Sequence, residues 1–308
     1  MDVRTIGVVG CGLMGSGIAE VAALAGFDVV VVKATAGSLD SAIKRVESSL
    51  DRSVSKGKLT AEARDAARAR LSFSADLDAL AKCDLVIEST AETMASKKRM
   101  LAEIEAAAPN AIIGTNTSSL PLAQLASALK APERFVGLHF FSPVPMMKLV
   151  EVGRLAQTAG DVIAASCITL EKLGKTPVLL GEEPGYIVNR LLVPYLCHAI
   201  EMLEMGVARA QDIDTAMKLG CGHPLGPLAL SDLIGLDIVF AMAQTLSSEL
   251  RDKRFKAPTL LRRLVLAGNL GKKTKLGLYD YRGAEPTENP DIRAAVMSSP
   301  DLSEVATG

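Results

Sequence analysis

The sequence predicts an α/β fold: a Rossmann-type, mainly parallel sheet domain followed by an all-helical C-terminal domain. Three observations carry this expectation. Short apolar runs alternate with helical patterns as far as Leu180, the signature of a parallel sheet with crossover helices. A glycine-rich turn separates the first apolar run from the first helix, as in dinucleotide-binding units. After Gly181-Glu182-Glu183-Pro184 only helical periodicity continues.

Residues 5–9 form the first β-like run, and Gly10-Cys11-Gly12-Leu13-Met14-Gly15 follows it. The next helix is expected over 16–25, closed by Gly26, which tolerates a left-handed cap. Residues 27–32 read as a second, buried parallel strand. Helical patterns over 39–54 and 60–70 carry charges at solvent-facing intervals. Further strands are expected at 83–88, 111–115, 136–140, 149–152 and 177–180, with a helix over 97–107 that stops near Pro109. Helices then follow over 187–205, 210–218, 228–250 and 258–267. The reading divides the chain into a dinucleotide-binding domain over 1–184, a helical domain over 185–282 and a peripheral tail over 283–308 that holds little periodic pattern.

Composition bounds the function. At 308 residues with 49% hydrophobic content, the chain is long enough to bury the cores of two domains. Lys and Arg (34) balance Asp and Glu (35), so no basic field invites nucleic acid. The five cysteines are scattered without a CxxC pair, and no secretory leader precedes the first strand. Reduced thiols and a cytoplasmic location are therefore expected. No uncharged stretch is long enough to span a bilayer, so no membrane is expected. The three histidines are dispersed and no HExxH occurs, so no metal centre is expected.

The glycine turn supplies the first chemical signal. Gly10 permits the tight turn, Gly12 lets backbone approach a pyrophosphate, and Gly15 lets helix and strand pack closely. The amides of Leu13 and Met14 then open the helix, where phosphates are received. At the end of the second strand, where an acidic residue would accept hydrogen bonds from the adenosine ribose, stand Lys33 and Thr35. Lys33 could neutralise a 2′-phosphate and Thr35 could donate to it, which favours NADP(H) over NAD(H). The alternative is an exposed lysine with ribose contacts made elsewhere.

The second signal is His139, in Gly137-Leu138-His139-Phe140-Phe141-Ser142-Pro143, followed by Glu151 on the next expected strand. Hydride transfer at a carbinol carbon requires a proton to move in step, and imidazole has the right pKa range for that task. A carboxylate on the second nitrogen fixes the tautomer and supports the imidazolium. A buried His–Glu pair can also be purely structural. Thr115-Asn116-Thr117-Ser118-Ser119 follows a strand, where α/β proteins place ligand loops, although a helix cap would read the same way. Asn189 is expected at the start of the second domain, facing the crevice. His198 reads as a packing residue and His223 as part of a turn.

Taken together these motifs resemble the L-3-hydroxyacyl-CoA dehydrogenase family, from residue 5 to about 281. The resemblance rests on residues 10–26, Asn116-Thr117-Ser118-Ser119-Leu120, His139-Phe140-Phe141-Ser142-Pro143-Val144-Pro145 and Met147-Lys148-Leu149-Val150-Glu151-Val152. Pro184-Gly185-Tyr186-Ile187-Val188-Asn189-Arg190 and residues 212–227 extend it. It implies His139 as catalytic acid/base, Glu151 as its partner, and Ser118 and Asn189 as contacts of the reacting oxygen. It also places Glu92, Lys97 and Asn116 near the nicotinamide, with Ser49 and Lys56 against the CoA nucleotide. The implied substrate is a 3-oxoacyl-CoA or (S)-3-hydroxyacyl-CoA, short-chain by similarity to 3-hydroxybutyryl-CoA dehydrogenases, and the implied assembly is a homodimer through the helical domain. Lys33 replaces the family's usual aspartate. Ser142 replaces an asparagine beside His139 and so alters the edge of the substrate pocket. A different hydroxy acid or an acyl-carrier-protein thioester is the enzymatic alternative, and a non-catalytic nucleotide-binding protein is the remaining one.

Overall fold

The structure is a computed structural model that describes residues 2–34 and 39–292. The chain divides into two compact units, Met1–Tyr186 and Ile187–Gly308.

The first unit holds β1 (Thr5–Val9), α1 (Leu13–Leu24), β2 (Asp28–Val32), α2 (Asp40–Ser55), α3 (Ala61–Ala69), β3 (Leu71–Ser74), β4 (Leu85–Glu88), α4 (Met94–Ala107), β5 (Ile112–Thr115), α5 (Leu122–Ala126), β6 (Phe135–Phe140), β7 (Leu149–Gly153), α6 (Gly160–Lys172) and β8 (Thr176–Leu180). Its eight strands form one sheet in the order β3-β2-β1-β4-β5-β6-β7-β8. Neighbours run parallel except β6 and β7, which are antiparallel. Both faces are covered, so the central strands are apolar on both sides. Ile6, Val8, Val31, Ile87 and Leu138 pack with Ile18, Ala22 and Leu50 of α1 and α2. Val9, Val86, Ile113 and Phe135 pack with Leu101, Ile104 and Leu125 of α4 and α5 on the other face. The strand order reverses direction at β1 and β4, which opens a crevice at their carboxyl ends.

The second unit holds α7 (Val188–Glu204), α8 (Ala210–Cys221), α9 (Pro227–Ile234), α10 (Leu236–Leu250), α11 (Thr259–Leu266) and a small antiparallel pair, β9 (Tyr279–Asp280) with β10 (Thr287–Glu288). Val193, Leu196, Ile200, Leu228, Val239, Leu246 and Leu261 make its core. Asp214 accepts from the Leu228 and Ala229 amides at 2.8 and 2.9 Å, satisfying free donors in the first turn of α9. Among the described residues no single helix is long and apolar enough to cross a membrane. Only α9 and α10 taken together pass by length and composition, and they are bent by 95°.

The elements differ from the sequence expectation at several points. The helix expected over 228–250 is two helices, broken at Gly235, whose φ of +106° no right-handed helix accommodates. β3, α5 and α6 were not foreseen, and α5 is only five residues long. β3 is only four residues long, and α6 is diluted by Val162, Ile163, Ile168 and Thr169, β-branched residues that favour strands. Residues 283–292, expected to be peripheral, include β10 and bury Ile292 in the second core.

Candidate active site at the carboxyl edge of the sheet

The glycine turn fits a pyrophosphate on its own geometry. Gly10 has φ +104°, and a Cβ there would collide with the Ser89 carbonyl; a Cβ on Gly15 would collide with the Gly10 carbonyl. Both glycines are therefore required by the protein itself. Gly12 is different, because a Cβ there meets nothing within 4 Å. It caps α1 with no side-chain hydrogen bond, and the first turn of α1 carries no acidic residue. Open space beside unsatisfied amides at a positive helix end suits an anion. Leu13 is exposed and Met14 half-buried. Lys33 is half-buried at the end of β2, and its amide donates to the Ser74 carbonyl at 3.0 Å. Burial raises the Cys11 thiol pKa, while the charges of Lys33 and Arg45 oppose that rise. Thr35 lies outside the described residues.

The ends of β4 and β5 carry a buried polar network. The Lys97 ammonium donates to both Glu88 oxygens at 3.1 and 2.9 Å, and both side chains are 0% exposed. Thr115 Oγ1 donates to Glu88 at 2.6 Å, and the Thr90 amide and hydroxyl donate to it as well. Lys97 also reaches Glu92 at 3.5 Å. Glu92 Oε1 accepts from Thr117 Oγ1 and the Ser118 amide, both at 2.7 Å, and from the Ser118 hydroxyl at 3.1 Å. Burial pushes the Glu92 carboxyl up, but Lys97, Thr117 and Ser118 outweigh it and hold the group below its ordinary value. Glu92 thereby fixes the loop that carries Ser118. Asn116 bridges three strand ends: Oδ1 accepts from the Phe140 amide at 2.9 Å and Nδ2 donates to Ser89 Oγ at 3.2 Å.

His139 on β6 pairs in register with Glu151 on β7. Because directly opposed side chains share a face, Nδ1 lies 2.8 Å from Glu151 Oε2, with the side chains 7% and 1% exposed. The carboxylate makes Nδ1 the protonated nitrogen, which leaves Nε2 as the basic one. The imidazole lies against two rings, Phe141 at 4.4 Å and Tyr186 at 4.9 Å between centroids. Beyond the strand, Ser142 is exposed. The loop that follows is tied down by buried Lys175, whose ammonium donates to the carbonyls of Val144 and Met147.

Ser49 on α2 hydrogen-bonds the buried Glu20 carboxyl of α1, and Lys56 is an exposed residue capping the C-terminus of α2. Asn189 is buried in the first turn of α7. His198 is exposed and approaches Glu201, whereas packing was expected. His223 approaches the Tyr195 hydroxyl at 3.2 Å. Sequence reasoning missed Glu88, Lys175 and Tyr186. The one signal available was Glu88 itself, an acid ending an otherwise apolar strand.

Comparison with known proteins gives the following. Residues 5–183 match the 3-hydroxyacyl-CoA dehydrogenase, NAD binding domain, and residues 185–281 match the 3-hydroxyacyl-CoA dehydrogenase, C-terminal domain. The chain is similar to the 3-hydroxybutyryl-CoA dehydrogenase of Bradyrhizobium diazoefficiens, 45% identical over 285 residues that cover 92% of this chain and 97% of that one. It is similar in structure to FadB2 of M. tuberculosis, with TM-score 0.88 and 43% identity over 91% of this chain and 100% of the other. The (S)-3-hydroxybutyryl-CoA dehydrogenase PaaH1 from Ralstonia eutropha also gives TM-score 0.88, with 41% identity over 92% and 100% of the two chains. The match to an NAD binding domain overturns the expectation that NADP(H) is favoured. The physical reason is that a lysine is not diagnostic of a phosphate: its ammonium also donates to ribose hydroxyl oxygens, and Lys33 is half-buried.

Proposed function

The chain belongs to the 3-hydroxyacyl-CoA dehydrogenase family, and from that premise we propose how its residues interconvert a 3-oxoacyl-CoA and a (S)-3-hydroxyacyl-CoA with NAD(H). The acyl group is short, of the acetoacetyl and 3-hydroxybutyryl class, as the names of the similar enzymes indicate. The observation that carries the proposal is the buried His139–Glu151 pair, 2.8 Å apart, on the sheet whose β1 ends in the open glycine turn.

NAD(H), when bound, supplies or accepts the hydride. The turn at Gly10, Gly12 and Gly15, with the amides of Leu13 and Met14, holds its pyrophosphate. In reduction His139 Nε2 gives a proton to the oxygen developing at C3, and in oxidation it takes the hydroxyl proton. Glu151 keeps Nδ1 protonated throughout and offsets the charge of the imidazolium. Ser118 stays placed by its amide on Glu92 while its hydroxyl turns from Glu92 to donate to the reacting oxygen, and the family reading adds Asn189 as a second donor. Lys97 acts through Glu92, since its own side chain is fully buried. Ser49 and Lys56 meet the CoA nucleotide, and Ser142 lies at the edge of the acyl pocket.

The reading also assigns substrate binding and homodimerisation to the helical unit. In support, that unit exposes Leu191, Val207, Leu219 and Leu266, each more than half exposed. The decisive experiment is steady-state reduction of acetoacetyl-CoA by NADH, comparing wild type with His139→Gln. Turnover is expected to fall by about 10³-fold with NADH binding retained. Near-normal turnover in the variant would remove His139 from the mechanism.

A further inference from the structure

Two costs converge on Tyr186. Its φ of +51° lies in the left-handed region, which side chains with a Cβ enter at a penalty. Its hydroxyl is buried with no hydrogen-bond partner among the described residues, which leaves the desolvation of that group uncompensated. Burial, reinforced by the Glu92 and Glu151 carboxylates, drives the phenol far above its ordinary pKa, so it stays protonated. Strain of this kind persists where the surroundings over-determine a residue's position, and such places are characteristically functional.

The surroundings are specific. Beside the His139–Glu151 pair, two residues along the same ladder, Gly137 stands opposite Gly153. Side chains alternate along a strand, so all four positions point to one face of the sheet. The paired glycines leave a slot there that the Tyr186 ring shares with Leu122, whose Cδ1 would lie 2.8 Å from a Cβ on Gly137 and 2.6 Å from one on Gly153. A Cβ on Gly137 would come within 2.6 Å of Tyr186 Oη, and one on Gly153 within 3.0 Å of its Cε1. From the slot the ring extends over the imidazole, 4.9 Å between centroids and 26° from parallel. Phe141 contacts the same imidazole with its plane tilted by 50°.

We propose that Tyr186 is a positioning residue for the acid/base: its ring, seated on the Gly137–Gly153 pair, keeps the His139 imidazole oriented with Nδ1 on Glu151 and Nε2 toward the substrate. The inference rests on His139 being the acid/base. When the alcohol is oxidised, Nε2 takes the hydroxyl proton as the hydride leaves C3 for NAD⁺. The resulting imidazolium then lies against the electron-rich face of the tyrosine, a favourable cation–π arrangement. The function belongs to the ring, because Oη has no hydrogen-bond partner among the described residues.

The test compares Tyr186→Phe, Tyr186→Leu, Gly153→Ala and His139→Gln in both reaction directions, with NADH binding followed by its fluorescence. Y186F keeps the ring and loses the orphan hydroxyl, so kcat stays within about twofold and Tm rises. Y186L lowers kcat by about 10- to 100-fold, the range expected when a reacting group is slightly misplaced, while KM for NADH is unchanged. In oxidation its kcat/KM acquires an acid limb displaced to lower pH, because the imidazolium has lost its support. G153A leaves Tyr186 in the sequence but crowds both its ring and Leu122; Gly153→Ala/Leu122→Ala removes the Leu122 clash, and both variants reproduce the loss of kcat even if Y186L does not fold. Wild-type kcat and pH profile in both Y186L and G153A would overturn the proposal, as would a loss in Y186F equal to that in Y186L. If H139Q itself turns over normally, the functional reading fails and this inference with it; if H139Q is inactive and Y186L unaffected, only Tyr186 is misassigned.

Discussion

At the residue scale the site is organised by two wholly or largely buried pairs, and they were unequally readable. His139 and Glu151 could be anticipated because both fall on adjacent expected strands, and the register sets them face to face. Glu88 and Lys97 could not, since their meeting depends on how α4 lies across β4, and Thr115 joins them from β5. Tyr186 was hidden for the same reason: Pro184-Gly185-Tyr186 announces a turn, but nothing local says that its ring falls on a glycine pair in two other strands. The Glu88–Lys97 pair makes a clear prediction. Both groups are fully buried, so Lys97→Met leaves an uncompensated carboxylate and costs about 3–5 kcal/mol, whereas removing both charges is far milder. Urea titration of Lys97→Met and of Lys97→Met/Glu88→Leu checks this. A single variant as stable as wild type, or a double variant no better than the single, would contradict it. Glu92 would also lose the cation that helps hold its carboxyl low, loosening the Ser118 loop.

At the scale of elements, long periodic segments were legible and short or interrupted ones were not. β1, α1 and β2 announce themselves through an apolar run, a glycine turn and an apolar run. α6 hides behind its β-branched residues, although β7 and β8 are parallel and so require a crossover between them. The break between α9 and α10 is carried by one residue, Gly235, which periodicity alone passes over. The turn before α1 yields a prediction that separates structural from ligand-binding glycine. Gly15→Ala drives a methyl into the Gly10 carbonyl, so it is expected to lower Tm and abolish NADH binding together. Gly12→Ala meets open space and has an ordinary φ of −70°. The poorer cap costs about 0.5–1 kcal/mol, so Tm falls far less than in Gly15→Ala while KM for NADH rises about tenfold. Equal thermal losses in the two variants would show that Gly12 is structural as well.

At the scale of the whole molecule the two units handle buried acid differently, and this sets a pH dependence. In the first unit Glu88 faces Lys97, Glu151 faces His139, and Glu105 has Arg134 within 3.8 Å. In the second, Asp214 and Asp232 are buried among backbone amides and tyrosine hydroxyls. Asp232 accepts from the Leu278 and Tyr279 amides at 2.9 Å and the Tyr281 hydroxyl at 3.0 Å, joining α9 to the segment that carries β9. Burial nevertheless pushes its carboxyl up to about 6, with Asp214 adding to the rise, although those three hydrogen bonds oppose it. The folded value exceeds the unfolded one of 3.8, so the folded state holds the extra proton between them. Stability from this group is therefore fully present at the acid end and is lost as pH rises from about 4 through 6. The change between pH 4 and pH 8 is about 2 kcal/mol. Asp232→Asn cannot titrate, and its amide replaces one acceptor, so it is less stable than wild type at pH 4 by a margin that shrinks by about that amount at pH 8. Tyrosine fluorescence during urea unfolding follows the second unit, because the chain has no tryptophan and three of its four tyrosines, Tyr195, Tyr279 and Tyr281, lie there. A deficit independent of pH would show that Asp232 stays ionised in the folded protein, held by its three donors against the cost of burial.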